Sequence, residues 1–195
     1  MFNGIIFNTG KIKLIEKNKN SVFINIETNL KFTNKELGDS VSCNGVCLTI
    51  AKIKKNLISF YISKETLNRS NFKFIKKNQL INLEKSLLFG QKISGHFSQG
   101  HVDTVAKIKK ISFLDKTWLI RLNITNNKFK KFIVEKASIS INGVSLTVSK
   151  VSNNFFETNV IPHTLALTNL KNLKINDMVN VELDIFSKYI YKYST

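Results

Sequence analysis

The stretch Val41-Ser42-Cys43-Asn44-Gly45-Val46-Cys47-Leu48-Thr49-Ile50 returns 98 residues later as Ile139-Ser140-Ile141-Asn142-Gly143-Val144-Ser145-Leu146-Thr147-Val148, with six of the ten positions identical. The same offset carries Thr66-Leu67 onto Thr164-Leu165, Asn71 onto Asn169, and Asn82-Leu83-Glu84 onto Asn180-Val181-Glu182. Nearer the start the offset is 96, where Gly4-Ile5-Ile6 meets Gly100-His101-Val102 and Lys11-Ile12-Lys13 meets Lys107-Ile108-Lys109. One register over most of both halves implies a duplicated domain, since the period is too long for a solenoid. The repeats run roughly over 1–87 and 95–185 and join near Leu88–Ser94. That divides the 195 residues into an N-terminal domain with linker, 1–94, and a C-terminal domain with tail, 95–195.

Each half reads as β. Ser21–Thr28 places Val22, Ile24 and Ile26 on one face, and Leu57–Ser63 and Phe155–Ile161 are rich in strand formers. Asn44-Gly45 and Asn142-Gly143 are hairpin-turn dipeptides between strand-like flanks. Helix is expected only in short pieces. Asn127–Lys136 sets Phe129, Phe132 and Ile133 on one helical face, Pro162 suits a first helical turn, and Ile185, Phe186, Tyr189 and Ile190 share a face of a short C-terminal helix. Many short strands at regular spacing suggest an all-β chain of two small barrels.

The formal net charge of +17 invites a nucleic-acid or membrane reading. Only Arg69 and Arg121 are arginine, however, and the lysines are spread along the whole chain. Arginine is the residue preferred for bidentate phosphate and guanine contacts. The charge is therefore read as a solvated surface in a chain rich in Lys, Asn, Ile and Phe, with no nucleic acid as partner. Cys43 and Cys47 are the only cysteines, too few for a disulfide framework or a zinc site. His96 and His101 are five apart, which on a strand sends them to opposite faces, and no third ligand follows. No metal is expected. No signal-peptide core and no run of about 18 apolar residues occurs. The expectation is a soluble cytoplasmic protein with reduced thiols and no membrane partner.

The ordered strings Met1-Phe2-x-Gly4-Ile5, Asn44-Gly45-Val46-Cys47-Leu48-Thr49, Gly95-His96-Phe97-x-Gln99-Gly100-His101-Val102-Asp103, Asn142-Gly143-Val144-Ser145-Leu146-Thr147, Ile161-Pro162-His163-Thr164 and Asn180-Val181-Glu182-x-Asp184 resemble the riboflavin synthase family over nearly the whole chain. The chain departs from the usual pattern at Asn3, Phe7, Asn8 and Ala137, and its tail after Asp184 is shorter than in many relatives. The resemblance implies two similar six-stranded barrels and a homotrimer, and association with lumazine synthase is among the partnerships it allows. It implies sites formed between the N-terminal barrel of one chain and the C-terminal barrel of another. The implied reaction moves a four-carbon unit between two molecules of 6,7-dimethyl-8-ribityllumazine, giving riboflavin and 5-amino-6-ribitylamino-uracil. Because the C7 methyl carbanion is delocalised into its own ring, no cofactor is implied. The protein has to place two rings face to face and supply a few proton donors and acceptors.

Carried over by position, the substrate contacts of the first barrel fall on Gly4-Ile5-Ile6, Cys47-Leu48-Thr49 and Tyr61-Ile62-Ser63-Lys64-Glu65-Thr66. Those of the second fall on Gly100-His101-Val102, Ser145-Leu146-Thr147 and Asn159-Val160-Ile161-Pro162-His163-Thr164, with Lys136 reaching a ligand on the neighbouring chain. Cys47, Ser145, His101 and Thr147 are the candidates for catalysis. Each has an ordinary alternative. Cys47 also reads as a buried thiol, Ser145 as a strand serine satisfied by backbone, and Lys136 as one of many solvated lysines. Gly4, Gly45, Gly100 and Gly143 read first as turn or close-approach glycines. Glu182 and Asp184 alternate with Val181 and Leu183 and read as a solvent-facing strand edge. Two other functions stay open. One is a lumazine- or flavin-binding protein of the same fold without turnover, which needs only one good site. The other is a basic barrel that binds single-stranded nucleic acid, which should interleave aromatics with bases on one exposed face. The retention of Thr49 and Thr147, and of Thr66 and Thr164, favours the enzyme over the binder.

Overall fold

The structure, a computed structural model, describes residues 1–194. Strands β1 (Asn8–Lys17), β2 (Ser21–Thr28), β3 (Ser40–Cys43), β4 (Val46–Lys54), β5 (Leu57–Ser63) and β6 (Leu80–Lys85) close into a barrel in the order β1-β2-β5-β4-β3-β6. Strands β7 (Thr104–Leu114), β8 (Thr117–Ile124), β9 (Ser138–Ile141), β10 (Val144–Val151), β11 (Phe156–Val160) and β12 (Met178–Leu183) close a second barrel by the same circuit. Short helices α1 (Lys64–Arg69) and α2 (Pro162–Leu167) follow the fifth strand of each barrel, and α3 (Ile185–Ser194) ends the described chain. The alternation of β2 holds, with Val22, Ile24 and Ile26 buried in the first core and Ile120, Leu122 and Ile124 of β8 buried in the second. Bulges in β1 and β7, and in β4 and β10, fall at matched positions. Such bulges sharpen strand bending, which closing six strands requires. No helix among the described residues is long and apolar enough to cross a membrane.

Both Asn-Gly tips are turns with positive φ, at 47° and 79° for Asn44-Gly45 and 47° and 80° for Asn142-Gly143. The two tips meet. A Cβ on Gly45 would lie 2.7 Å from the Gly143 nitrogen, and the reverse also holds. Asparagines surround this contact in matched pairs. The Asn82 amide donates to the Asn142 carbonyl, and the Asn180 amide donates to the Asn44 carbonyl, both at 2.9 Å. Asn44 Oδ1 accepts from Asn82 N at 2.8 Å and Asn169 Nδ2 at 2.9 Å, and Asn142 Oδ1 accepts from Asn180 N at 2.8 Å and Asn71 Nδ2 at 3.3 Å. All six asparagines are buried. The seam between the barrels is therefore polar, and the amides give buried turn groups the partners they need.

Two expectations need correction. Asn127–Phe132 is a 3-10 helix rather than an α-helix through Lys136. With three residues per turn, Phe129 and Phe132 still fall on one side and pack with Ile133 against the core. The chain then turns at Lys136, φ 68°, to enter β9. Glu182, expected at a solvent-facing edge, is only 3% exposed. A closed barrel has no edge, and the Ser98–Gly100 segment covers this side of β12.

Candidate functional site

The segments ahead of the two barrels are exchanged. Phe2 and Ser98 pair as an antiparallel bridge, with Phe2 N donating to Ser98 O at 2.7 Å and Ser98 N to Phe2 O at 3.2 Å. Past this crossing each segment runs onto the other repeat's barrel. Ile6 joins the core of the second barrel, and Val102 joins the core of the first. Ser145 N donates to Gly4 O, and Cys47 N donates to Gly100 O, both at 2.8 Å. The grouping expected from sequence is thus corrected: Gly4-Ile5-Ile6 belongs with Ser145-Leu146-Thr147, and Gly100-His101-Val102 with Cys47-Leu48-Thr49. Both glycines need left-handed backbone, φ 72° at Gly4 and 74° at Gly100, a region that costs other residues energy.

Two equivalent surfaces result. On β10, Ser145 and Thr147 point outward while Leu146 points into the core, and on β4 Cys47, Thr49 and Leu48 do the same. Ile6, Leu48, Ile62, Val102, Leu146 and Val160 are all core side chains, so at those positions only backbone N–H and C=O groups remain for a ligand. Tyr61, Ser63, Lys64 and Glu65 are exposed on one surface, and Asn159, Ile161, Pro162 and His163 on the other. Thr66 is fixed at the start of α1, where Ser63 Oγ accepts from its backbone N at 3.2 Å and lies 3.0 Å from its hydroxyl. Thr164 holds the matching place in α2, and its carbonyl accepts from the Thr168 hydroxyl as that of Thr66 accepts from Ser70. His101 is exposed beside Gly100. Lys136 is exposed and left-handed, at the position where the first repeat carries Gly38. A lysine there is backbone strain of the kind that collects at working sites.

The surfaces differ chemically at one point. His96 Nδ1 lies 2.7 Å from Ser145 Oγ. Burial pulls the imidazole below its ordinary pKa against the opposing charges of Asp184 and Glu182, so the ring is neutral near pH 7. A neutral ring nitrogen in this position can take the hydroxyl proton. His96 was considered from sequence only as a metal ligand. Among the described residues no three His, Cys, Asp or Glu side chains are grouped to hold a metal. The signal in the repeat is the change from Cys47 to Ser145 at one equivalent position, and of these two, among the described residues, Ser145 is the one with a histidine within hydrogen-bond distance.

A carboxylate stands behind each exchanged segment. Glu84 of β6 accepts from Asn3 N at 2.8 Å and Gly4 N at 3.0 Å. Glu182 of β12 accepts from Ser98 Oγ at 2.7 Å, Gln99 N at 2.7 Å and Gly100 N at 3.0 Å. Burial raises Glu84 to about 7 despite the backbone N–H groups that favour its charge. Asn3 adds a clamp, its side-chain oxygen accepting from Ser94 N and Gly95 N at the end of the linker.

A family model described as the lumazine binding domain matches this chain twice, over residues 3–86 and 99–184. The chain is 36% identical to the riboflavin synthase of Actinobacillus pleuropneumoniae over 193 residues, 99% of this chain and 89% of that one. It is 35% identical to that of Escherichia coli (strain K12) over 94% of this chain and 87% of that one. Among solved structures, LumP complexed with 6,7-dimethyl-8-(1'-D-ribityl) lumazine superposes with a TM-score of 0.81 at 26% identity, over 93% of this chain and 98% of that one. LumP complexed with riboflavin gives 0.81 at 28%, over 94% and 99%.

Proposed function

Because this chain belongs to the riboflavin synthase family and carries the lumazine binding domain in both halves, we propose that its two outward surfaces each hold one molecule of 6,7-dimethyl-8-ribityllumazine. The enzyme is a transferase that moves four carbons from one molecule to the other, giving riboflavin and 5-amino-6-ribitylamino-uracil. The observation that carries this is the duplication of the whole surface. Strand, threonines, helix start and exchanged glycine segment all occur twice, and a reaction between two copies of one compound needs two places of the same shape. A binding protein needs one.

The substrate ring carries the electron sink, so the residues have three tasks. The backbone of Gly4–Ile6 and Gly100–Val102 reads the polar edges of the rings. Thr66 and Thr164 bond ribityl hydroxyls or ring. Ser145 with His96 moves a proton at the second barrel, where Cys47 offers the first barrel only a thiol; His101 and Thr147 stand ready beside them. Purified protein given 6,7-dimethyl-8-ribityllumazine alone, after exhaustive chelation and dialysis, should produce riboflavin absorbance with one riboflavin per two substrates. A requirement for added metal or nucleotide, or binding without turnover, would contradict the assignment.

The two surfaces that face each other are assigned to different chains of a homotrimer. In one chain Thr49, Tyr61, Thr147 and Ile161 lie open, and α3 turns Phe186, Tyr189, Ile190 and Tyr193 outward while Tyr191 packs on Phe132. We take Lys136, exposed and left-handed, as the residue that reaches a neighbour's ligand. Light scattering should give three times the 22.3 kDa chain mass. A chain with Thr49 and Thr66 replaced by Trp, and another with Thr147 and Thr164 replaced by Trp, should each be inactive. Unfolded together and refolded, they should regain partial turnover. Mixed assemblies that form but stay inactive would place the working site within one chain.

A further inference from the structure

The carboxylates of Glu84 and Glu182 are not among the groups proposed above to contact a ligand, yet each is bound to the backbone of a segment that is. Glu84 belongs to the first barrel, but the amides it holds, Asn3 N and Gly4 N, open the segment whose carbonyl accepts from Ser145 N of the second barrel. Glu182 belongs to the second barrel, and it holds Gln99 N and Gly100 N of the segment docked on Cys47 of the first. We propose that Glu84 and Glu182 are positioning residues, each setting the ligand-reading segment of the surface on the opposite barrel.

The physical case is the direction of the hydrogen bonds. At a left-handed glycine, the N–H and C=O are held by different barrels. The strand fixes the carbonyl, and the carboxylate on the other side fixes the orientation of the peptide that precedes it. An ionised carboxylate accepts without donating, so one group satisfies neighbouring N–H donors; for Glu84, whose pKa burial raises to about 7, this holds above neutral pH. No neutral side chain of the same length does that. An amide in its place turns one oxygen into a donor aimed at an N–H, and the segment must shift to relieve it. Glu182 is buried, and Glu84 is half-buried, lining a cleft of about 370 Å³ together with Asn3 and Ile5. The arrangement is crossed, so damage to one barrel's glutamate is read at the other barrel's surface. This rests on the two-surface function proposed above.

The test uses the full-length protein and riboflavin as the probe, followed by quenching of its fluorescence. Thr164→Trp leaves only the Cys47 surface able to bind, and Thr66→Trp leaves only the Ser145 surface. Glu84→Gln should weaken riboflavin about tenfold or more in the Thr66→Trp background, the expected effect of an N–H left without its acceptor. In the Thr164→Trp background it should change the Kd less than twofold. Glu182→Gln should show the reverse pattern. Should a Gln variant fail to fold, Glu84→Asp and Glu182→Asp keep the charge but withdraw the oxygens, and are expected to give the same crossed pattern. Losses on the glutamate's own barrel, or equal losses on both surfaces, overturn the proposal while leaving the two-surface function standing. A parent protein that binds neither lumazine nor riboflavin removes both.

Discussion

Turnover of 6,7-dimethyl-8-ribityllumazine is expected to fall about 100-fold in Gly4→Ala and in Gly100→Ala, the loss associated with displacing a reacting group by about 1 Å. A Cβ on Gly4 would sit 2.7 Å from Ser145 Cβ and 2.9 Å from its backbone nitrogen. One on Gly100 would sit 2.6 Å from Cys47 Cβ and 2.8 Å from its nitrogen. Both positions are left-handed, so the alanine is strained before it collides. The neighbours cannot yield separately, because the nitrogen in each case is the donor of the hydrogen bond that docks the segment. The segment itself must back away from the strand, taking the ligand-reading groups with it. Gly90→Ala serves as the control. It is also left-handed at φ 80° but has nothing within 4 Å, so it should lose about 1 kcal/mol of stability and little turnover. Steady-state riboflavin formation and thermal unfolding measure both quantities. Normal turnover in a folded Gly100→Ala protein would show that the segment does not set the surface on Cys47.

The second large effect is expected at the Ser145–His96 pair. Ser145→Ala and His96→Gln should each lower kcat about 100- to 10,000-fold, the range for loss of a positioned proton carrier. Their combination should cost little more than either alone, since the two act as one unit. Cys47→Ala should cost less, because no histidine stands behind it. The pH profile separates proton handling from packing. Burial holds the His96 pKa below its ordinary 6.5, so the neutral form persists at pH 7 and is lost as pH falls below 6.5. Wild-type kcat/KM should therefore drop on the acid side of 6.5, and His96→Gln should lose that limb. An unchanged acid limb in His96→Gln would assign the proton transfer to another group, with exposed His101 the next to test.

The barrels were legible because their signals are local. Val22, Ile24 and Ile26 alternate, the Asn-Gly pairs demand left-handed turns, and Pro162 starts a helix, all within a few residues of chain. The exchange was not legible for a reason the repeat itself supplies. Gly4-Ile5-Ile6 and Gly100-His101-Val102 are equivalent in the duplication, so either can dock on either barrel without changing any sequence pattern. Only distance in space decides, and it assigns each to the farther partner. Strand alternation predicts one wet face for β12, whereas the Ser98–Gly100 segment covers Glu182 on that strand. The six seam asparagines stand in the repeat as matched pairs, but no local pattern shows that the two Asn-Gly tips meet and are tied by them. His96 reads from sequence only as a possible metal ligand, because its partner Ser145 lies far along the chain and meets it only in the fold.

The exchange also bears on the order in which the molecule is made. Residues 1–7 leave the ribosome well before β10, yet Ile6 has no apolar pocket and the Gly4 carbonyl no donor until that strand is synthesised, roughly 140 residues later. At about 5–20 residues per second, that is a delay on the order of ten seconds. The first barrel closes its strands in the interval but waits for Val102 to complete its core. A nascent chain stalled before residue 100 should therefore carry a first barrel whose core lacks Val102 and an undocked apolar segment, Met1-Phe2 through Phe7, available to chaperones and to neighbouring nascent chains.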